Sequence, residues 1–127
     1  MAASLAVQKA VVAALAELAG LTGVHDGPPP DAPAPYAVIG PDLVNDFSHK
    51  TGIGHDVRLV VTIWDDRPGA ARLRALLGAA AAQLRLLSGE WDGHRIVLAR
   101  LQRAGVGAPD DGWRPGTIEL RVLTEQL

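Results

Sequence analysis

The chain has 127 residues and a mass of 13.3 kDa, the size of one domain built around a single hydrophobic core. A formal net charge of -2, with 20% charged residues, leaves no basic excess to neutralise a phosphate backbone and argues against direct DNA or RNA binding. Cysteine is absent, which excludes disulfides, thiolate nucleophiles and cysteine-based zinc sites together, so the fold must rest on packing.

The N-terminal apolar run is interrupted by Gln8, Lys9 and Glu17 and follows no basic segment, so it reads as a helix of a soluble, non-secreted protein rather than a signal peptide or membrane span. Ser4 is a candidate N-cap. Val7, Val11, Ala14, Leu15 and Leu18 fall on one helical face, and Gly20 and Gly23 end the helix. Residues 27–35 carry Pro28, Pro29, Pro30, Pro33 and Pro35 and predict an extended surface connection. A short strand is expected from Tyr36 to Ile39, and after Gly40-Pro41 a second, polar one from Leu43 to about Ser48.

His49 to His55 reads as a glycine-punctuated turn. From Asp56 the chain alternates strictly, with Val57, Leu59, Val61 and Ile63 on one face and Arg58, Val60, Thr62 and Trp64 on the other. Asp65-Asp66-Arg67-Pro68 carries capping and early-turn chemistry for a second helix, whose apolar stripe is Leu73, Leu76, Leu77, Ala80, Leu84 and Leu87. Arg95 to Arg103 predicts a strand whose first half, Ile96 to Ala99, is apolar on both faces, as in a strand covered on both sides. A loop from Gly105 to Gly116 leads to a last strand with Ile118, Leu120 and Val122 inward and Thr117, Glu119 and Arg121 outward.

The order α-β-β-β-α-β-β implies one α+β domain over 1–127, a mostly antiparallel sheet of about four to five strands with both helices on one face. The other face then carries Val60, Trp64 and Leu123 among Arg58, Thr62, Glu119 and Arg121. Such a mixture suits either a subunit interface or a half-wetted sheet.

Chemistry is hard to find in this pattern. His25, His49, His55 and His94 lack ligand spacing, and the pairs His25-Asp26 and His55-Asp56 would point to opposite faces of a strand. Thr51-Gly52-Ile53-Gly54 precedes a strand, where a phosphate loop must precede a helix. Ser4 and Ser88 fall at expected helix boundaries, Ser48 lacks a nucleophile elbow, and most carboxylates lie in loops where solvation and turn formation explain them. No catalytic, cofactor-binding or metal-ligating residue is assigned. Trp64 and Trp113, each beside charge and turn residues, are either core plugs or interface anchors.

Several runs, in order, carry a resemblance: Val24-His25-Asp26-Gly27 with its prolines, Pro35 to Gly40, Lys50-Thr51, Val61-Thr62-Ile63-Trp64, the helix from Pro68 to Leu87, Trp91 to Val97, and Gly116 to Leu123. Together they resemble the small tail-completion, or tail-terminator, proteins of long-tailed phages and gene-transfer-agent-like particles. The resemblance implies a structural virion protein without catalytic residues. It also implies a ring, usually six-fold, that caps the tail tube, stops its polymerisation and joins it to the neck. Implied partners are further copies of the chain, the tail tube protein and a neck stopper or adaptor, with DNA passing through the lumen without sequence-specific binding and no membrane. Assembly is expected in the bacterial cytoplasm.

A closed ring needs two different patches per subunit. His49, Lys50, His55, Arg58, Trp64, Trp113, Arg114 and Arg121 are the candidate interface residues, and the loops at His49 to His55 and Gly105 to Gly116 are expected to order on assembly. The alternatives are a head-tail adaptor or stopper of the neck, a small dimeric α+β ligand-binding domain with an enclosed cavity, and a small hydrolase with clustered His, Asp and hydroxyl.

Overall fold

The computed structural model describes residues 2–27, 29 and 31–127. Helix α1, Ala2–Ala16, buries Ala3, Ala6, Val7, Ala10, Val11 and Leu15, a stripe recurring every three or four residues. The Leu18 amide donates to the Leu15 carbonyl, and Gly20 then takes φ 103, a left-handed conformation that costs glycine little. Ser4 is not the N-cap. It lies inside the first turns of α1, and its hydroxyl donates to Asp42.

Strand β1, Val24–His25, pairs in parallel with β2, Tyr36–Asp46. Of the proline-rich connection between them, Pro28 and Pro30 lie outside the described residues. Its end is fastened where the Thr22 amide donates to the Pro35 carbonyl at 2.7 Å. The two strands expected at Tyr36 to Ile39 and Leu43 to Ser48 are one. A bulge between Ile39 and Asp42 takes up Gly40-Pro41, where a proline without an amide hydrogen is tolerated.

Strand β3, Gly54–Asp65, runs antiparallel to β2; helix α2, Ala71–Leu84, follows, then β4, Gly89–Trp91, β5, His94–Val106, and β6, Arg114–Gln126. The sheet order is β1-β2-β3-β6-β5-β4. The class is α+β with both helices on one face, but the sheet has six strands instead of four or five and is mixed, because β1 is parallel to β2. Strands of two and three residues, as β1 and β4 are, are too short to show a period.

The core lies between the helices and the inner sheet face. Val57, Leu59, Val61 and Ile63 of β3 meet Ile118, Leu120 and Val122 of β6, under Leu73, Leu76, Leu77, Ala80 and Leu84 of α2 and the buried stripe of α1. Each buried leucine contributes about 1.5–3 kcal/mol. Gly116 admits α2 closely, since a Cβ there would meet Leu77 Cδ1 at 2.8 Å.

Three further expectations are corrected. Asp65 does not cap α2; the residue at that position is Ala70, which makes no side-chain cap bond. The β3 alternation instead carries Asp65 inward past Ile63, where it is 1% exposed and ion-paired with Arg72. Strand β5 is not covered on both sides at its start: Val97 is 57% exposed, because a bulge between Ile96 and Leu98 turns it outward. The same strand runs on to Val106 and β6 begins at Arg114, so the glycine-rich loop shrinks to 107–113, closed by mutual backbone bonds between Asp110 and Trp113.

Candidate functional site: the open sheet face and its edges

None of the described residues covers the face of the sheet away from the helices. Strand β3 presents Asp56, Arg58, Val60, Thr62 and Trp64 to it, and β6 presents Thr117, Glu119, Arg121 and Leu123, because their inward neighbours are the core residues named above. The flanking strands add Tyr36, Val38 and Leu43 from β2 and Leu98, Arg100 and Arg103 from β5. Half-buried Val38, Val60, Trp64, Leu98 and Leu123 make this face more apolar than a solvated sheet requires. A cleft of about 540 Å³ runs along it, with Pro41, Leu43 and Val60 on one side and Gln102, Arg103 and Glu119 on the other.

A charge ladder crosses the same face. Arg121 donates to Asp56 Oδ2 from Nε at 3.1 Å and from Nη2 at 3.0 Å, and Arg58 Nη2 stands 3.6 Å from the same oxygen. The Arg121 hydrogen bond, aided by the nearby charges of Arg121 and Arg58, holds the Asp56 carboxyl below its usual range although burial pulls the other way. Phe47, half exposed, lies with its ring centroid 6.0 Å from the Arg121 guanidinium carbon, a cation–π distance. Arg103 pairs with Glu119 at 2.6 Å, and Arg95 lies 3.6 Å from Glu125. Arg100 has no carboxylate partner among the described residues.

The residues singled out in the sequence fall into three places. Arg58, Trp64 and Arg121 share the open face. His49 and Lys50 sit on the exposed β2–β3 turn, where His49 and Gly52 exchange backbone bonds of 3.0 and 3.2 Å. His55, nearby, points to the helix side, its ring 5.7 Å from that of His94. Trp113 and Arg114 lie at the opposite end of the sheet. There Trp113 makes an edge contact with Tyr36 at 5.6 Å, Tyr36 contacts His25 at 5.8 Å, and Trp64 is the cross-strand partner of Tyr36. Arg114 reaches the carbonyls of Pro68 and Gly107 at 3.4 and 3.5 Å. Leu43, Phe47 and Arg100 were not singled out; strand alternation continued through the bulges of β2 and β5 would have found Leu43 and Arg100.

Among the described residues, no group of three or more His, Asp or Glu lies close enough to hold a metal ion, and no helix is long and apolar enough to cross a membrane. The buried carboxylates, Asp56 and Asp65, are committed to arginines. Such a surface can bind another protein through apolar area and paired charge.

Residues 5–125 match the family model described as tail completion protein gp17. The chain belongs to this family. Tail-completion proteins are structural components of virions and not enzymes. Among solved structures, this family member is similar to a chain in the virion of a native gene transfer agent particle, at 29% identity and a TM-score of 0.84 over 96% of both chains. No curated protein matches it.

Proposed function

We propose that this tail-completion protein is the terminator of its tail: a closed ring, most simply of six copies, that caps the tube, stops its polymerisation and joins it to the neck of the capsid. The reading is carried by the likeness, over 96% of both chains, to a component of an assembled gene-transfer-agent virion. An uncovered sheet face bearing both apolar area and unneutralised arginine supports it, since a ring subunit must keep such area for its neighbours. The tail tube protein and a neck stopper or adaptor are its partners, and DNA crosses the lumen without sequence-specific contacts, as a net charge of -2 suits. Assembly takes place in the bacterial cytoplasm.

The test is to produce particles with and without this chain and image the tails. Loss of a terminator gives tubes of uncontrolled length without heads. Tubes of normal length that merely fail to join heads would assign the protein to the neck instead.

A further inference from the structure

Resting on the ring reading, we propose that neighbouring copies join edge to edge, the free edge of β2 in one subunit pairing antiparallel with the free edge of β5 in the next, so that one continuous sheet runs around the ring. The small strands at the two margins leave most of each edge uncovered. Strand β1 pairs only with Ala37 and Val38 of β2, and β4 pairs only with His94, Arg95 and Ile96 of β5. The backbone of residues 40–46 on one margin and 97–106 on the other therefore bonds inward alone, to β3 and β6, among the described residues. Both stretches are open to solvent, with Leu43 60% and Val97 57% exposed. Long free edges of this kind invite another strand.

Strand direction decides how the edges can meet. Strands β2, β3, β6 and β5 alternate in direction across the sheet, so β2 and β5 run opposite ways. An axial rotation that carries one subunit to the next preserves those directions. It brings β2 beside an oppositely running β5, and the alternation continues across the seam. The contact is heterologous, and a closed ring leaves neither edge bare.

Charge disfavours the meeting of like edges. The free part of β2 carries Asp42 and Asp46 on its helix side and no basic residue, whereas that of β5 carries Arg100 and Arg103 on its open side and no acidic one. Two β2 edges, or two β5 edges, would set like charges on the same face of an antiparallel pair, which is unfavourable. Pro41 and the bulges at both edges further limit indiscriminate stacking.

The absence of cysteine makes a direct test simple. Leu43→Cys is combined in one chain with Leu98→Cys, Arg100→Cys or Arg103→Cys, all open-face edge positions. Within a subunit two strands separate β2 from β5, about 14 Å at the usual strand spacing and beyond disulfide reach, so any bond formed joins two molecules. Mild oxidation should convert at least one pair into a ladder of covalent multimers ending in a closed species on a non-reducing gel. Covalent dimers from Leu43→Cys alone would show two β2 edges meeting and overturn the proposal. An intact ring by native mass spectrometry without a ladder from any pair would also overturn it, leaving the ring itself standing. A wild-type protein that never forms a ring would remove the ring reading and this pairing together.

Discussion

Asp65 and Arg72 fasten the end of β3 to the first turn of α2, and truncating either one should have unequal consequences. Arg72 donates from Nε to Asp65 Oδ2 at 3.0 Å and from Nη2 to Oδ1, while the Asp66 amide donates to Oδ1 at 2.9 Å. Asp65 is 1% exposed, but the Arg72 side chain is 29% exposed. Asp65→Ala leaves a guanidinium that can turn to water, and the lost charge-assisted pair is worth about 2–3 kcal/mol. Arg72→Ala leaves a buried carboxylate without a counter-charge, at a cost of about 3–5 kcal/mol. At about 3–5 °C per kcal/mol for a domain of this size, Asp65→Ala lowers Tm by about 6–15 °C and Arg72→Ala by more. In Arg72→Ala burial is opposed only by the Asp66 amide and the nearby charge of Arg67, so the Asp65 pKa rises from its wild-type value and the deficit should shrink as pH is lowered. Urea unfolding of wild type, both single variants and the double variant, at one protein concentration, gives the coupling directly. Equal single costs that simply add in the double variant would refute the pair as a fastening.

Both Asp56 and Asp65 are held below the ordinary carboxyl value of 3.8 by hydrogen bonds from arginine. A depressed carboxyl contributes stability that is present above the unfolded pKa and lost as pH falls through the folded one. Their contribution to stability should be constant from neutral pH to about 5 and be lost below about 4, so Asp56→Asn should show a shallower acid decline than wild type in urea midpoints measured against pH. Gly54→Ala would place Cβ 2.8 Å from the Phe47 carbonyl oxygen and 3.1 Å from that of Thr124. Backbone cannot yield as the leucine tips facing Gly116 can, so Gly54→Ala should cost about 1–3 kcal/mol and exceed Gly116→Ala in the same unfolding assay. Leu15→Ala, at a fully buried position, should cost about 2–5 kcal/mol by thermal melt. Among the described residues the amides of Lys50, Thr51, Asp111 and Gly112 find no backbone acceptor, so they should exchange rapidly in the free subunit and slowly in the assembled tail. Equal rates in the two states would mean that these turns are not contacts.

The sequence made some features plain and hid others for identifiable reasons. Period-two alternation from Asp56 placed Val57, Leu59, Val61 and Ile63 in the core, and the helical stripe placed Leu73, Leu76, Leu77, Ala80 and Leu84 there too. Carrying the same alternation one step further would have put Asp65 inside, but its position before a helix suggested a cap. Strand β2 was split in two because Gly40-Pro41 signals a break, whereas a bulge lets the strand continue through it. The joining of β1 to β2 depends on a contact across the proline-rich connection and leaves no local pattern. Of the candidate interface residues, Arg58, Trp64 and Arg121 could be grouped by alternation alone. The bidentate hold of Arg121 on Asp56 joins residues on different strands, which only the register brings together.

Native mass spectrometry of the purified protein, at concentrations approaching those in an assembling particle, tests the central claim most directly. The terminator reading predicts one dominant closed species, at six copies for a six-fold tail, without smaller stable intermediates. An obligate two-fold dimer, its open sheet face covered by the same face of a single partner, would contradict it.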